Sequence, residues 1–390
     1  MTDVAREFGV SRKTAYKWLK RYRELGLSGL VDESRRPASS PMATTAELAF
    51  EAVEVRKAHP SWGPKKIAAV LARRHPGGET PSLSTVARIL KHAGLMKRRT
   101  RRSSGGIPMR APEFVAKAPN DLWTVDFKGW WRAKDGDKCE PLTIRDAHSR
   151  FILALKLMAR TRTEEVRPVF EALFKRYGLP IAIQSDNGPP FASIRAPRGL
   201  TELSAWWVSL GIQVVRSRPG CPQDNGGHER MHVDVRFDLE DKAEATVGEQ
   251  QRACDDWCTT FNFERPHEAL GMKVPGDVYR ASDRRMTRYV IGGYPAGCEK
   301  ATVSSCGKIN YGDQKLFISM GVSRHRVGLL LVDGLVQVWF YQLLLGSFPG
   351  DGNGHFEPYI PHEDDPPSSD EESPQSTAMS PSVTASPSPA

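Results

Sequence analysis

The stretch that decides the fold is residues 121–131, DLWTVDFKGWW, where apolar side chains alternate about Trp123, Val125 and Phe127. A period of two is the signature of a strand, and the runs EPLTIRD (140–146) and FILALKLM (151–158) repeat it. Three short adjacent strands predict an antiparallel meander. Downstream, Val166, Val169, Phe170, Leu173, Phe174 and Tyr177 recur at helical spacing and stop at Gly178, which predicts a helix over 163–177. PIAIQSD (180–186) reads as a short apolar strand, 200–210 as a helix, IQVVRS (212–217) as another strand, and long helices follow from about Gly227 and over 247–263. The order βββ-α-β-α-β-α-α implies an α/β core, a mixed sheet with helices packed on it, over 116–285.

Upstream the texture is helical. TDVAREFGVSRKTAYKWLKRYRELG (2–26) reads as two short helices separated by Gly9, with Thr2 and Ser11 at N-cap positions and Gly26 as the stop. This resembles a helix-turn-helix over 1–36. Ala15, Trp18, Tyr22 and Leu25 are expected to face a core, leaving Arg12, Lys13, Lys17, Lys20 and Arg21 on the arc that meets DNA phosphates. The chain begins one residue before the first helix, so this module is expected to be truncated or its start late. A second helix-turn-helix is expected over 45–96, with Val86, Ile89, Leu90 and Leu95 as an apolar stripe. It leads into a basic linker, 97–115, in which Lys97, Arg98, Arg99, Arg101 and Arg102 are candidate phosphate contacts.

After the core, β runs flanking Gly312-Asp313 and Asp333-Gly334 imply a small all-β domain over 300–348. Residues 351–390, rich in Pro, Ser and acids, predict a disordered tail. Charge follows the same division. Residues 1–110 carry 23 Lys and Arg against 9 Asp and Glu, a net of +14. The middle is near neutral at +3, and 351–390 is at −8. A basic front with an acidic tail is the layout of a polyanion binder.

Several classes are excluded or disfavoured. No stretch approaches the ~20 unbroken apolar residues of a spanning helix, and the nearest candidate, 327–341, is interrupted by Asp333, Gly334 and Gln337. No secretory leader is read at the N-terminus, so a cytoplasmic location without membrane partners is expected. The six scattered cysteines are expected as free thiols, since Cys254 and Cys258 lack a second pair at zinc spacing.

The candidate chemistry rests on three carboxylates. Asp126 lies in the first strand, Asp186 ends the fourth and Glu229 opens a helix. Ligands collect at strand C-terminal ends in open sheets. Three acids gathered there repel one another unless a dication neutralises them. Mg²⁺ suits carboxylates, waters and phosphate oxygens, and two such ions can flank an in-line phosphoryl displacement, so phosphodiester chemistry is predicted.

The words around these acids are LWTVDFKG (122–129), SDNGPPF (185–191), CPQDNGGHERMH (221–232) and FNFERPHEALG (261–271). In this order they resemble the catalytic core of retroviral integrases and of bacterial insertion-sequence transposases of the Asp-Asp-Glu type. The resemblance spans about residues 1–348. It implies a ribonuclease-H-like mixed-sheet core, preceded by all-α helix-turn-helix modules and followed by the small β domain. It further implies Asp126, Asp186 and Glu229 as catalytic residues and as ligands of Mg²⁺ or Mn²⁺, two ions in all. Arg236, seven residues after Glu229 on the same helix face, takes the position of a DNA-contacting basic residue. Gly226-Gly227 is expected to lend backbone freedom to the loop before Glu229, and His267 to serve as a structural hydrogen-bonder. The implied function is that of a DNA transposase, a homo-oligomer that binds element ends and target duplex, cuts a strand and transfers it.

Where the chain departs from the pattern, expectations shift. Val233, Asp234 and Asp238 dilute the basic charge after Glu229, predicting weaker DNA affinity there. The segment RAPRGLTEL (195–203) is an extra loop between the second and third acids, as suits the transposase branch. No cysteine precedes Cys139, so the zinc module of retroviral integrases is missing and a bacterial element is favoured. Asp146 competes for a catalytic place, against its reading as a turn residue. The alternative function is a catalytically decayed transposase acting as a sequence-specific DNA-binding protein. A nonspecific nuclease explains the core but not the sequence-reading front.

Overall fold

The computed structural model describes residues 2–32, 43–96, 114–218, 225–286, 293–352 and 354–360. Its first helices are α1 (Thr2–Glu7) and α2 (Arg12–Leu25), and Thr2 is the opening residue of α1. Ser11 Oγ accepts the Thr14 amide at 3.1 Å, and Gly26 ends α2 at a φ of 63°, where a side chain would be strained. The core face predicted for α2 is not covered. Tyr22 and Leu25 stand 48% and 58% exposed, since the main packing on this helix comes from α1 and the 3₁₀ turn Gly26–Leu30. Helices α3 (Ala46–Ala58), α4 (Pro64–Arg74) and α5 (Leu83–His92) form a closed cluster of their own. Its interior is Ala52, Val55, Trp62, Ile67, Val70, Leu71, Val86 and Leu90, with Thr45 and Ser82 capping α3 and α5.

The central sheet comprises β1 (Leu122–Phe127), β2 (Trp131–Arg132), β3 (Lys138–Asp146) and β4 (Ile152–Met158), followed after α6 (Thr163–Tyr177) by β5 (Ala182–Ser185). Helix α7 (Glu202–Ser209) and β6 (Gln213–Arg216) complete it. The spatial order is β4-β3-β1-β5-β6, with β2 paired to the start of β3. Strands β1, β3 and β4 are the antiparallel meander, whereas β5 and β6 run parallel to β1. This is the mixed sheet, antiparallel in its first half and parallel in its second, that the strand order predicted.

Period-two alternation separates the two faces of the sheet. Trp123 and Val125 from β1 and Leu142 and Ile144 from β3 join Phe170, Phe174, Leu203 and Trp207 of α6 and α7 in the largest core. The opposite face of the same strands presents Thr124, Asp126, Thr143 and Arg145, and here α8 (Gly226–Asp238) and α9 (Val247–Phe263) lie. Met231, Val235, Cys254 and Phe261 bury this layer against Ile152 and Leu155. Helix α9 also closes the free edge of β4. Asn262 accepts from Ile152 N at 2.8 Å and donates to its carbonyl at 2.9 Å, and Gln251 does the same for Leu157 N and Leu155 O. Covering that edge with side-chain amides removes a template for strand addition.

After α10 (Pro275–Val278) the chain builds an antiparallel sheet from β7 (Glu299–Thr302), β10 (Arg326–Val332), β11 (Leu335–Phe340), β12 (Leu343–Pro349) and β13 (Glu357–Pro358), with β8 (Lys308–Tyr311) and β9 (Gln314–Phe317) as a hairpin. Gly312-Asp313 and Asp333-Gly334 are the two-residue turns, both Asp333 and Gly334 having positive φ. The boundary expected at 348 and the disordered reading from 351 need correction. The fold continues to Tyr359, because Phe356 packs on the β core and the Tyr359 ring lies 4.2 Å from the Arg198 guanidinium. Residues 361–390 lie outside the described residues. The extra loop 195–203 anchors this domain: Leu200 enters its core and Arg198 Nε donates to Leu344 O at 3.0 Å.

Candidate carboxylate site

Asp126 sits near the C-terminal end of β1, and Asp186 directly follows the C-terminal end of the parallel neighbour β5. The parallel register pairs Trp123 with Ile183 and Thr124 with Gln184; continued by two residues it sets Asp126 level with Asp186. Glu229 is in the first turn of α8, the helix that crosses the polar face of β1 and β3. Burial, followed by the charge of Asp186 and with a smaller contribution from Glu229, pushes the Asp126 carboxyl up to about 7. The three acids therefore share one electrostatic environment. Asp186 and Glu229 are solvent-exposed, whereas Asp126 is half-buried and takes a 3.3 Å hydrogen bond at Oδ2 from Asn225 Nδ2.

This donor set fits a hard divalent cation: three carboxylates supply oxygen ligands, and a cation would offset the charge cost recorded at Asp126. As the side chains stand, no group of three or more His, Cys, Asp or Glu among the described residues is close enough to grip an ion. Gripping one requires the exposed Asp186 and Glu229 side chains to turn toward Asp126. Gly188 leaves room beside Asp186, since a Cβ there would sit 3.1 Å from its Oδ2.

The first turn of α8 is tied to the sheet by polar contacts that sequence reasoning missed. His228 is fully buried, with Nδ1 2.9 Å from Thr124 Oγ1 and Nε2 2.6 Å from Thr143 Oγ1. Thr143 Oγ1 also lies 2.8 Å from His232 Nε2 and donates to Asp126 O at 2.9 Å. Burial, then the neighbouring His232 and Arg145, holds His228 well below the ordinary histidine range, and burial with Lys128 and Arg145 lowers His232 to about 4. The buried Arg145 donates to Gly227 O. The glycine pair does not act as a loop hinge, as expected from sequence; both residues are helical, and a Cβ on Gly227 would lie 2.9 Å from Arg145 Nη2. Gly227 is small because a guanidinium rests against it. Only the alternation of threonines with apolar residues hinted at this cluster.

Further along α8, the acids thought to dilute the basic face point inward. Asp234 forms a 2.6 Å buried ion pair with Arg265, and Asp238 accepts from Trp257 Nε1 at 3.1 Å. The Asp234 charge is matched inside the protein by Arg265, whereas the half-buried Asp238 meets a neutral indole N–H and keeps its charge near the surface. Arg236 is exposed, with Asp241 at a loose 3.9 Å. His267 is not the hydrogen-bonder expected: its Nε2 is buried with no partner, its ring packs 4.7 Å from that of Phe261, and burial drives it to about 3. Asp146 is fully buried at the other end of the meander, accepting from Asn120 N and Ser149 N at 2.7 Å each, and is a turn residue. Arg216, also overlooked, pairs in register with Ser185, donates to Ser185 Oγ at 2.8 Å and feels the charge of Asp186.

At the front, Arg12, Lys13, Lys17 and Lys20 are exposed on α2, Lys20 with Glu24 at 3.8 Å. Arg21 differs: its guanidinium donates to Val31 O at 2.7 Å and covers the Trp18 ring at 4.8 Å. Lys97, Arg98, Arg99, Arg101 and Arg102 lie outside the described residues. The α3–α5 cluster touches the core through Lys65 with Glu268 and through Arg73, which grips Asp277 at 2.5 and 3.0 Å. The described cysteines are free thiols, and no helix among the described residues is long and apolar enough to cross a membrane.

A mixed five-strand order carries acids at the ends of β1 and β5 and on the crossing helix, the arrangement that the sequence resemblance implies. Two integrase core domain models match residues 116–222 and 210–275, and a homeodomain-like domain model matches 14–90. The chain is also similar to insertion-element proteins. It is 24% identical to a 39.2 kDa protein of insertion element IS476 from Xanthomonas euvesicatoria, over 70% of this chain and 76% of that one. It is 24% identical to a 31.7 kDa protein of IS407 from Burkholderia multivorans, over 59% and 79%. A solved structure of the HTLV-2 integrase catalytic core domain in complex with magnesium is also similar, at 18% identity and a TM-score of 0.34, covering 43% of this chain and 100% of that chain.

Proposed function

We propose that this protein is a DNA transposase whose helical front holds the ends of a mobile element while its core cleaves a strand there and joins it to target DNA. The observation that carries the reading is geometric: Asp126 and Asp186 sit level at the C-terminal ends of neighbouring parallel strands, and Glu229 opens the helix that crosses them. Two divalent cations, Mg²⁺ or Mn²⁺, would activate the attacking oxygen and stabilise the leaving one. Asp126, Asp186 and Glu229 are the residues that would hold them. Around them, Arg216 anchors the turn that bears Asp186, and Arg236 offers an exposed cation on the Glu229 helix. In the first step water attacks a phosphodiester, leaving a 5′ phosphate and a free 3′ hydroxyl; in the second that hydroxyl attacks a target phosphorus, joins to the target 5′ phosphate and expels the target strand's 3′ oxygen. Joining two ends calls for two or more copies of the chain, acting in a bacterial cytoplasm.

A second reading, a DNA-binding protein without catalysis, is favoured by the separation of the three acids as they stand. The test is strand nicking of end-containing duplex with Mg²⁺, comparing wild type with Glu229→Gln. Nicking by the wild type alone supports the transposase. Sequence-specific binding without metal-dependent nicking supports the binder and overturns the first reading. The DNA-contacting roles of Arg12, Lys13, Lys17 and Lys20 are tested alongside, since their removal should flatten the salt dependence of binding.

A further inference from the structure

We propose that Thr143, acting through His228, is a positioning residue that fixes Glu229 against Asp126; the inference rests on the carboxylate reading above. Thr143 is the register partner of Asp126 on the adjacent strand, and His228 directly precedes Glu229. One hydroxyl therefore joins the two elements that carry the first and third acids. Its hydrogen-bonding capacity is a single proton and two lone pairs. The Asp126 carbonyl can only accept, so the Thr143 proton goes there, at 2.9 Å. Both imidazole Nε2 atoms, at 2.6 Å for His228 and 2.8 Å for His232, must then donate to Thr143 Oγ1. His228 Nδ1 is left as an acceptor and takes the Thr124 hydroxyl proton at 2.9 Å.

The assignment matches the Thr143 hydroxyl in full and both His228 ring nitrogens, and it admits one tautomer of His228. With Arg145 holding Gly227 O, residues 227, 228 and 232 are pinned to β1 and β3 while the Glu229 side chain stays exposed and free to rotate. A ligand on a fixed backbone with a mobile side chain can close on an ion without moving its helix. Removing an outer partner of this kind loosens ligation without touching a ligand.

The experiment measures Mn²⁺ binding to the full chain by the loss of the free-ion electron paramagnetic resonance signal, with DNA affinity measured separately by fluorescence anisotropy. Thr143→Val should weaken Mn²⁺ binding by about 10- to 100-fold. DNA affinity should stay within about twofold, because the pin touches no DNA-facing residue. Thr143→Ser keeps the hydroxyl and should bind as the wild type does. Should Thr143→Val fail to fold, Thr124→Val, which cuts the other side of His228, carries the test in the same direction. Wild-type Mn²⁺ affinity in a folded valine variant, or a serine variant as weak as the valine one, overturns the proposal. Failure of the wild type itself to bind Mn²⁺ in a manner lost in Glu229→Gln overturns the carboxylate reading, and the positioning role with it.

Discussion

Replacing Asp234 with alanine strips the partner from a guanidinium that has almost no water to turn to. Asp234 and Arg265 are each about 95% buried, their closest atoms are 2.6 Å apart, and Arg265 Nε already lacks a partner. The nearby Lys66 ammonium, lowered to about 8 by burial and then by Arg265, adds repulsion once the carboxylate is gone. Breaking a buried pair from one side costs about 3–5 kcal/mol. For a core of this size that is a fall in Tm of about 6–20 °C. The reciprocal change is expected to be milder, because Arg230 Nη2 lies 3.6 Å from the other Asp234 oxygen and still partners it when Arg265 is lost. Arg265→Ala should therefore cost clearly less than Asp234→Ala, about 2–3 kcal/mol. Replacing both at once, Asp234→Leu with Arg265→Met, removes the desolvated charges together and should recover most of the loss. Thermal unfolding followed by circular dichroism, supplemented by urea midpoints, distinguishes the four proteins. A loss under about 1 kcal/mol for Asp234→Ala, equal losses for the two single changes, or no recovery in the double replacement would refute the reasoning.

The adjacent glycines should respond in opposite ways. Gly227→Ala drives a methyl to 2.9 Å from Arg145 Nη2 and should cost about 1–3 kcal/mol, whereas Gly226→Ala meets open space and should be neutral or stabilising by up to about 1 kcal/mol, as read from urea melts. Asn262→Ala uncovers the amide and carbonyl of Ile152 at the edge of β4 and should cost about 2–3 kcal/mol; hydrogen exchange that leaves the Ile152 amide protected would count against that contact. Asp126 has a folded pKa raised above its unfolded value, so its favourable contribution is complete below about pH 4 and is lost as pH rises through about 7. Without divalent cation, Asp126→Asn should therefore gain in Tm relative to wild type between pH 5 and 8, and Mg²⁺ should reverse the order by stabilising only the wild type. A pH-independent difference would show that Asp126 is not held protonated.

Much of the core was legible because its signals are local. The helix over 163–177, with its stop at Gly178, and the helix over 247–263 follow from spacing alone, and the structure places both at those limits. The meander was equally plain from three alternating runs, and Asp333-Gly334 announced its hairpin. The C-terminal half of α2 was harder. Spacing marks which residues share a face, but it does not say whether anything packs on that face, and so Tyr22 and Leu25 were assigned to a core that the described residues do not supply. The C-terminal limit was missed because composition past 351 is polar, and two aromatic residues, Phe356 and Tyr359, outweighed it.

The sequence by itself determined the strands, the helices and the acids at their ends, since each depends on periodicity, capping or a short word of neighbouring residues. Tertiary structure alone decided what those acids and their neighbours face. The level of Asp126 with Asp186 comes from parallel register, the inward contacts of Asp234 with Arg265 and of Asp238 with Trp257 from the docking of α9 and the turn after it, and the saturation of Thr143 from two histidines more than eighty residues away. Hydrogen bonds and ion pairs act within a few ångströms and are indifferent to separation along the chain. A linear pattern therefore names the groups without saying which of them meet.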